Sequence, residues 1–196
     1  MPLSSFIGFA RLFVLLCWLG LSLPFLLRKK QSKPATQRRA PAARAGIAVQ
    51  AVGFALVWSL RPDMFPSIAL PLPVRCAFCG LAMILALGSV WLVCEAVRVL
   101  GKQWSLEARL VEGHRLVVEG PYSHVRHPIY TATLGMLLAT GLTFGAWWGV
   151  LLAAAVYSAG TAIRIRAEER LLREAFGDDF EAYRRYVPAI IPRWKT

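Results

Sequence analysis

Acidic residues are scarce in this sequence. Eleven Asp and Glu stand against 23 Lys and Arg in 196 residues, and all charged residues together make up 17% of the chain. A soluble domain averages about 25% charged, so a water-exposed globule is a poor fit. Cysteine is also sparse, at four. Cys76 and Cys79 form a lone CxxC without the second ligand pair a structural zinc site would need, and read as small membrane-helix residues in preference to a metal or redox pair. Residues 5–27 lack a basic leader followed by a small-residue cleavage site, and read as a retained helix rather than a signal peptide. No internal repeat is present.

Apolar residues are abundant: 57% of the chain, with a mean hydropathy of +0.50. They fall in five blocks, at 6–27, 46–60, 74–100, 129–144 and 146–163. A span needs about 20 apolar residues to cross the hydrocarbon. The spacing predicts an all-α, polytopic membrane protein with about five transmembrane helices. The last two blocks meet at Gly141, Phe144 and Gly145, which predicts a helical hairpin.

The net charge of +12 does not point to nucleic acid, because the basic residues flank apolar runs instead of forming a separate basic domain. Arg28, Lys29, Lys30, Lys33, Arg38, Arg39 and Arg44 crowd the first loop without one acid. The second loop holds only Arg61 and Asp63; basic residues return in the third loop and after the fifth block. The positive-inside rule then places loops one and three and the C-terminus in the cytoplasm, with membrane lipids as contacts. The tail from Arg164 is charged and helically periodic, broken at Gly177 and ended by Pro188. It predicts a cytoplasmic helical extension. The division expected is 1–100, a three-helix membrane region with a basic loop, and 101–196, which carries the chemistry.

All three histidines lie within 114–130. Gly120-Pro121 marks a turn, and His127-Pro128 opens the fourth helix with proline in its first turn. A helix start offers unpaired N–H groups to an anion. The second polar cluster is Arg164, Glu168 and Glu169, at the exit of the fifth helix; Arg164 and Glu168 share a face at i, i+4. By itself that is an ordinary exposed pair. The hairpin makes the two clusters neighbours, however, and so brings His127 toward Arg164 and Glu168. His124 reads as a surface histidine, Tyr122 and Tyr130 also suit interfacial aromatics, and Glu95 and Arg98 suit a snorkelling i, i+3 pair.

The runs His114-Arg115-Leu116-Val117, Gly120-Pro121-Tyr122 and Arg126-His127-Pro128-Ile129-Tyr130, followed by Arg164, Glu168-Glu169, Phe176-Gly177, Tyr183 and Pro188, resemble the isoprenylcysteine carboxyl methyltransferase and phospholipid methyltransferase superfamily. The resemblance covers roughly 101–192. It implies a membrane-embedded methyltransferase using S-adenosylmethionine, with the cofactor in a cytoplasmic pocket roofed by the C-terminal segment and a lipophilic acceptor entering from the bilayer. By that resemblance His114, Arg115, Leu116, Val117, Tyr122, His127, Pro128, Ile129, Tyr130 and Glu168 hold the cofactor, and Arg164 lies near the reacting group. A carboxylate acceptor would need only orientation, from Arg164; an amine or thiol would need a proton acceptor, for which His127, Glu168 and Glu169 are the candidates. The acceptor class stays open: a prenylated or phospholipid substrate, or a lipophilic small molecule. No metal and no obligate protein partner is implied.

Two rivals remain. An NADPH-dependent membrane reductase of the sterol type shares a similar C-terminal pair of motifs, but this sequence shows no additional nucleotide-binding segment. A small transporter would show inverted repeats or broken midplane helices, whereas here the polar groups gather at one face.

Overall fold

The computed structural model describes residues 3–29, 36–39, 42–61, 70–101, 109–111 and 115–192. Among the described residues, five α-helices make up the fold: α1 (Leu3–Lys29), α2 (Ala42–Ser59), α3 (Leu72–Leu100), α4 (Pro128–Phe144) and α5 (Trp147–Tyr186). Each coincides with one of the apolar blocks, and α5 runs on through the charged tail. A two-stranded antiparallel ribbon pairs β1 (Thr36–Arg39) with β2 (Arg109–Val111). This ribbon is absent from the sequence expectation, because Thr-Gln-Arg-Arg carries no alternating apolar face by which a strand is read.

The stretches Ser5–Leu27, Leu72–Leu100 and Trp147–Tyr186 are long and apolar enough to cross a membrane. Helices α2 and α4, with 18 and 17 residues, reach about 25 Å at 1.5 Å per residue, slightly less than the hydrocarbon thickness. The outward-facing side chains are those of a protein in lipid. Leu19 is 69% exposed, Ile84 71% and Trp91 65%, whereas several polar groups are buried. Contiguous exposed apolar surface on this scale is foreign to soluble monomers. The chain is therefore an integral membrane protein.

Two packing relationships position the polar half. Helix α3 packs on α1 and α4, through a core that includes Val14, Ala86, Val93, Ala132 and Met136. Helix α5 packs most extensively on α2. That contact is close because small residues line it: a Cβ on Gly160 would lie 2.8 Å from the Gly46 carbonyl oxygen, and one on Gly53 would lie 3.0 Å from Tyr157. Small residues that let backbones approach are the usual means of joining helices in lipid, where burial of apolar surface gives no net drive. At the other end of the pair, the Ala146 N–H donates to the Leu60 carbonyl at 3.1 Å, tying the α4–α5 turn to the end of α2.

The apolar part of α5 ends at Ile163, and the charged part from Arg164 onward stands beyond it. Gly177 interrupts that extension with φ 49° and ψ −120°, a backbone region open to glycine and unfavourable for other residues. The helix then turns back, buries Phe180 fully and ends before Pro188. Glu95 and Arg98 of α3 form an i, i+3 ion pair at 2.6 Å, with Arg98 74% exposed, at the surface and apart from the cluster described next.

Candidate functional site

The start of α4 and the exit of α5 meet in one buried polar cluster. Pro128 at the first helical position leaves His127 as the capping residue, held at φ −126° and ψ 62°. In that conformation the imidazole reaches both carboxylates of α5. Its Nε2 lies 3.2 Å from Glu169 Oε1, and its Nδ1 lies 3.5 Å from Glu168 Oε2. The His127 ring stacks on that of Tyr130, with centroids 5.6 Å apart. The Tyr130 hydroxyl donates to Glu168. The Arg164 guanidinium also lies over the Tyr130 ring, at 4.8 Å, a cation–π contact. Arg164 also approaches Glu168 at 3.7 Å.

Arg164 is anchored from a third helix. Its Nη1 donates to Gln50 Oε1 at 3.0 Å, and Gln50 Nε2 donates to Thr161 Oγ1 at 2.7 Å. Thr161 in turn donates to the Tyr157 carbonyl. Gln50, Thr161 and Arg164 are all buried, so this is an internal network in which each amide atom of Gln50 has a partner.

The two carboxylates differ in surroundings. Glu169 accepts from Arg126 Nε at 2.9 Å and Nη2 at 2.8 Å, and lies 3.5 Å from Arg184 Nε. Despite burial, the hydrogen bonds from His127 and Arg126 hold its pKa down to about 2. Glu168 is also held below the ordinary carboxylate range; burial opposes this, but the His127 hydrogen bond and the charges of His127 and Arg164 prevail. Burial would lower the His127 pKa, yet its bonds to the two carboxylates raise it above the ordinary value. The imidazole thus sits between two carboxylates that favour its protonated form. The side chain of Glu168 is 22% exposed against 10% for Glu169.

The loop before α4 closes one side. A 3-10 turn at Gly120–Ser123 buries Tyr122, whose phenol is pushed up in pKa by burial and by the Glu168 charge. The Tyr183 hydroxyl donates to the Tyr122 carbonyl at 2.6 Å. The C-terminal segment lies across the other side. The Arg126 N–H donates to the Pro188 carbonyl at 2.9 Å, the His127 N–H to that of Ala189 at 3.0 Å, and Thr131 Oγ1 to that of Ile190 at 2.7 Å.

Of the residues singled out in the sequence, His127, Pro128, Tyr130, Arg164, Glu168 and Glu169 converge here, with Ile129 in the same first turn of α4. Tyr122 and Val117 are buried together against Ala96 of α3. Leu116 is half-buried in the extended stretch leading to them, and Arg115 faces outward, paired with Glu119 at 3.1 Å. His114 lies outside the described residues. His124 is exposed and bonded to Ser123. Gln50, Thr161 and Arg184 were not singled out. Gln50 did leave a signal, as the one strongly polar side chain inside the second apolar block; Arg184 is one of many tail arginines and left none.

The model for the phospholipid methyltransferase family matches residues 77–179, just over half of the chain. The chain belongs to the phospholipid methyltransferase family. The matched region contains α4, the described loop before it and the charged exit of α5, and leaves α1 and α2 outside. Among curated relatives, the protein-S-isoprenylcysteine O-methyltransferase of Schizosaccharomyces pombe is 39% identical over 79 residues, 40% of this chain and 34% of that protein. The cobalt-zinc-cadmium resistance protein CzcN of Cupriavidus metallidurans is 32% identical over 50% of this chain and 45% of its own length. Protein-S-isoprenylcysteine O-methyltransferase B of Arabidopsis thaliana is 32% identical over 58% of this chain and 57% of its own. The matches thus span roughly a third to somewhat over half of these relatives.

Proposed function

We propose that this family member transfers a methyl group from S-adenosylmethionine to a lipophilic, membrane-borne acceptor at the cytoplasmic face. The observation that carries the reading is the convergence of His127, Tyr130, Arg164 and Glu168 at the polar end of an apolar helix bundle. Family membership and the two isoprenylcysteine O-methyltransferase relatives support the reaction class. The basic loops support the cytoplasmic orientation.

The donor set fits the cofactor. Its amino-acid part carries an ammonium and a carboxylate, and its sulfur carries a positive charge. Glu168, partly open and ionised, suits the ammonium. Tyr122, Val117 and Leu116, with Arg115, Pro128 and Ile129, are assigned to the remainder of the molecule, and His114 is assigned to it from the family resemblance alone. When bound, the cofactor supplies an activated methyl group together with its own leaving group, so the protein's task is position and electrostatics.

Within that division Arg164 orients the acceptor. Tyr130, Gln50 and Glu168 fix its guanidinium on three sides, and the apolar faces of α2, α4 and α5 run from it into the bilayer. Glu169 is a poor proton acceptor at neutral pH, tied to Arg126 and held at a pKa of about 2. His127 is bonded to both carboxylates, which favour its protonated form. Neither favours deprotonating an amine or thiol, so an acceptor that arrives ionised, a carboxylate, fits best. Glu169 then holds His127 in place, with Arg126 clamping the roof above.

Calorimetric titration of the purified protein in lipid nanodiscs with S-adenosylmethionine tests the assignment. Saturable binding in the micromolar range is the expected result. Absence of binding at millimolar cofactor sinks it, and saturable binding of NADPH instead establishes the reductase reading.

A further inference from the structure

We propose that Gln50, on α2 and outside the family-matched region, is a positioning residue that sets the Arg164 guanidinium for the acceptor. The proposal rests on Arg164 being the group that meets the acceptor. A guanidinium has five N–H donors in a rigid plane, so fixing one edge fixes the direction of the others. The Gln50 Oε1 atom accepts from Nη1 at 3.0 Å, while Tyr130 covers one face at 4.8 Å and Glu168 approaches Nη2 at 3.7 Å.

The amide cannot turn over without loss. Its Nε2 donates to Thr161 Oγ1 at 2.7 Å, and Thr161 is itself oriented by donating to the Tyr157 carbonyl at 2.9 Å. The carbonyl oxygen of Gln50 must therefore face Arg164. Gln50 is only 6% exposed. A buried amide within an apolar helix is costly unless satisfied, and here both ends are satisfied by α5. The approach that allows this is set by glycine: a Cβ on Gly160 would lie 2.8 Å from the Gln50 nitrogen. Helix α2 thereby reaches a cluster whose other members, His127, Tyr130, Arg164 and Glu168, lie at the start of α4 and on α5.

The test compares Gln50→Met, which keeps length and flexibility but removes both hydrogen bonds, with Gln50→Glu, which keeps the acceptor facing Arg164. Full-length protein in nanodiscs is assayed for S-adenosylmethionine affinity, and for methylation of an S-prenylated N-acetylcysteine as the probe carboxylate. Gln50→Met should raise the KM for the probe about tenfold, the scale of one hydrogen bond to a charged group, and leave cofactor Kd within twofold. Gln50→Glu should stay within threefold of wild type in KM. In an Arg164→Lys background, Gln50→Met should have little further effect.

A wild-type KM in Gln50→Met overturns the proposal, as do equal losses in both variants or full additivity with Arg164→Lys. A wild-type protein that neither binds the cofactor nor methylates the probe overturns the reaction assignment, and the role of Gln50 with it. A functional wild type with an indifferent Gln50 overturns only the present inference.

Discussion

Arg126 donates twice to one oxygen of Glu169, at 2.9 and 2.8 Å, and the same guanidinium donates to the carbonyls of Arg184 and Val187. One side chain thus joins the start of α4, the exit of α5 and the C-terminal segment. Both partners are about one-tenth exposed, so the pair is close to buried. Arg126→Ala removes the clamp while Glu169 keeps its contacts to His127 and Arg184. The loss should be about 2 kcal/mol, less than the 3–5 kcal/mol of an uncompensated buried break. Hydrogen exchange checks it: in the variant the backbone amides at positions 126 and 127, which donate to Pro188 and Ala189 in the wild type, should lose protection before the amides of α3 do.

Glu168 and Glu169 are adjacent in sequence but differ in surroundings. Glu168→Ala should weaken S-adenosylmethionine binding by tenfold or more, because it removes the carboxylate assigned above to the cofactor's ammonium. Glu169→Ala should change cofactor Kd by less than about threefold and show its effect as lost thermal stability instead. Calorimetry and thermal unfolding on both variants separate these outcomes. Equal, small losses in affinity for the two would show that the ligand approaches another face.

The pH dependence of stability follows from the same cluster. Glu169 has a folded-state pKa of about 2, against an ordinary value of 4.5. Its contribution is therefore fully present above 4.5 and is lost as pH falls toward 2. His127 is shifted the other way, upward. Its contribution is present below its ordinary value of 6.5 and is lost as pH rises through the folded-state value. Wild type and Glu169→Gln should thus differ in thermal midpoint at pH 5–6 and converge toward pH 2. A difference that persists unchanged to pH 2 would mean that the carboxylate is not the titrating group.

The helices were legible because apolar blocks bounded by charge state their own lengths: 74–100 became Leu72–Leu100, and 129–144 became Pro128–Phe144. The meeting of His127 with Glu168 was legible for a related reason, since a short connection permits only an antiparallel hairpin. The pairing of α2 with α5 was not legible. It depends on Gly46, Gly53 and Gly160 matching across a hundred residues of chain, and a glycine in an apolar run has no marked partner. The fastening of the C-terminal segment to the start of α4 was not legible either. Pro188, Ala189 and Ile190 bind through their carbonyls, which every residue has, so no side chain announces the contact.

Gly46 gives the sharpest test of that α2–α5 approach. A Cβ there would lie 2.5 Å from Arg164 Cγ and 2.7 Å from the Gly160 carbonyl. The second atom is backbone and cannot move aside without parting the helices. Gly46→Ala should therefore destabilise the protein by about 1–3 kcal/mol, the range for overpacking, even though alanine is the better helix former by roughly 1 kcal/mol. Gly80→Ala, on α3 with nothing within 4 Å of the added carbon, isolates the propensity term and should be neutral or stabilising. Because the nearest atom to the new methyl belongs to Arg164, Gly46→Ala should also raise the acceptor KM, and Gly80→Ala should not. A stable Gly46→Ala protein with an unchanged KM would mean that α2 and α5 are farther apart than the structure has them.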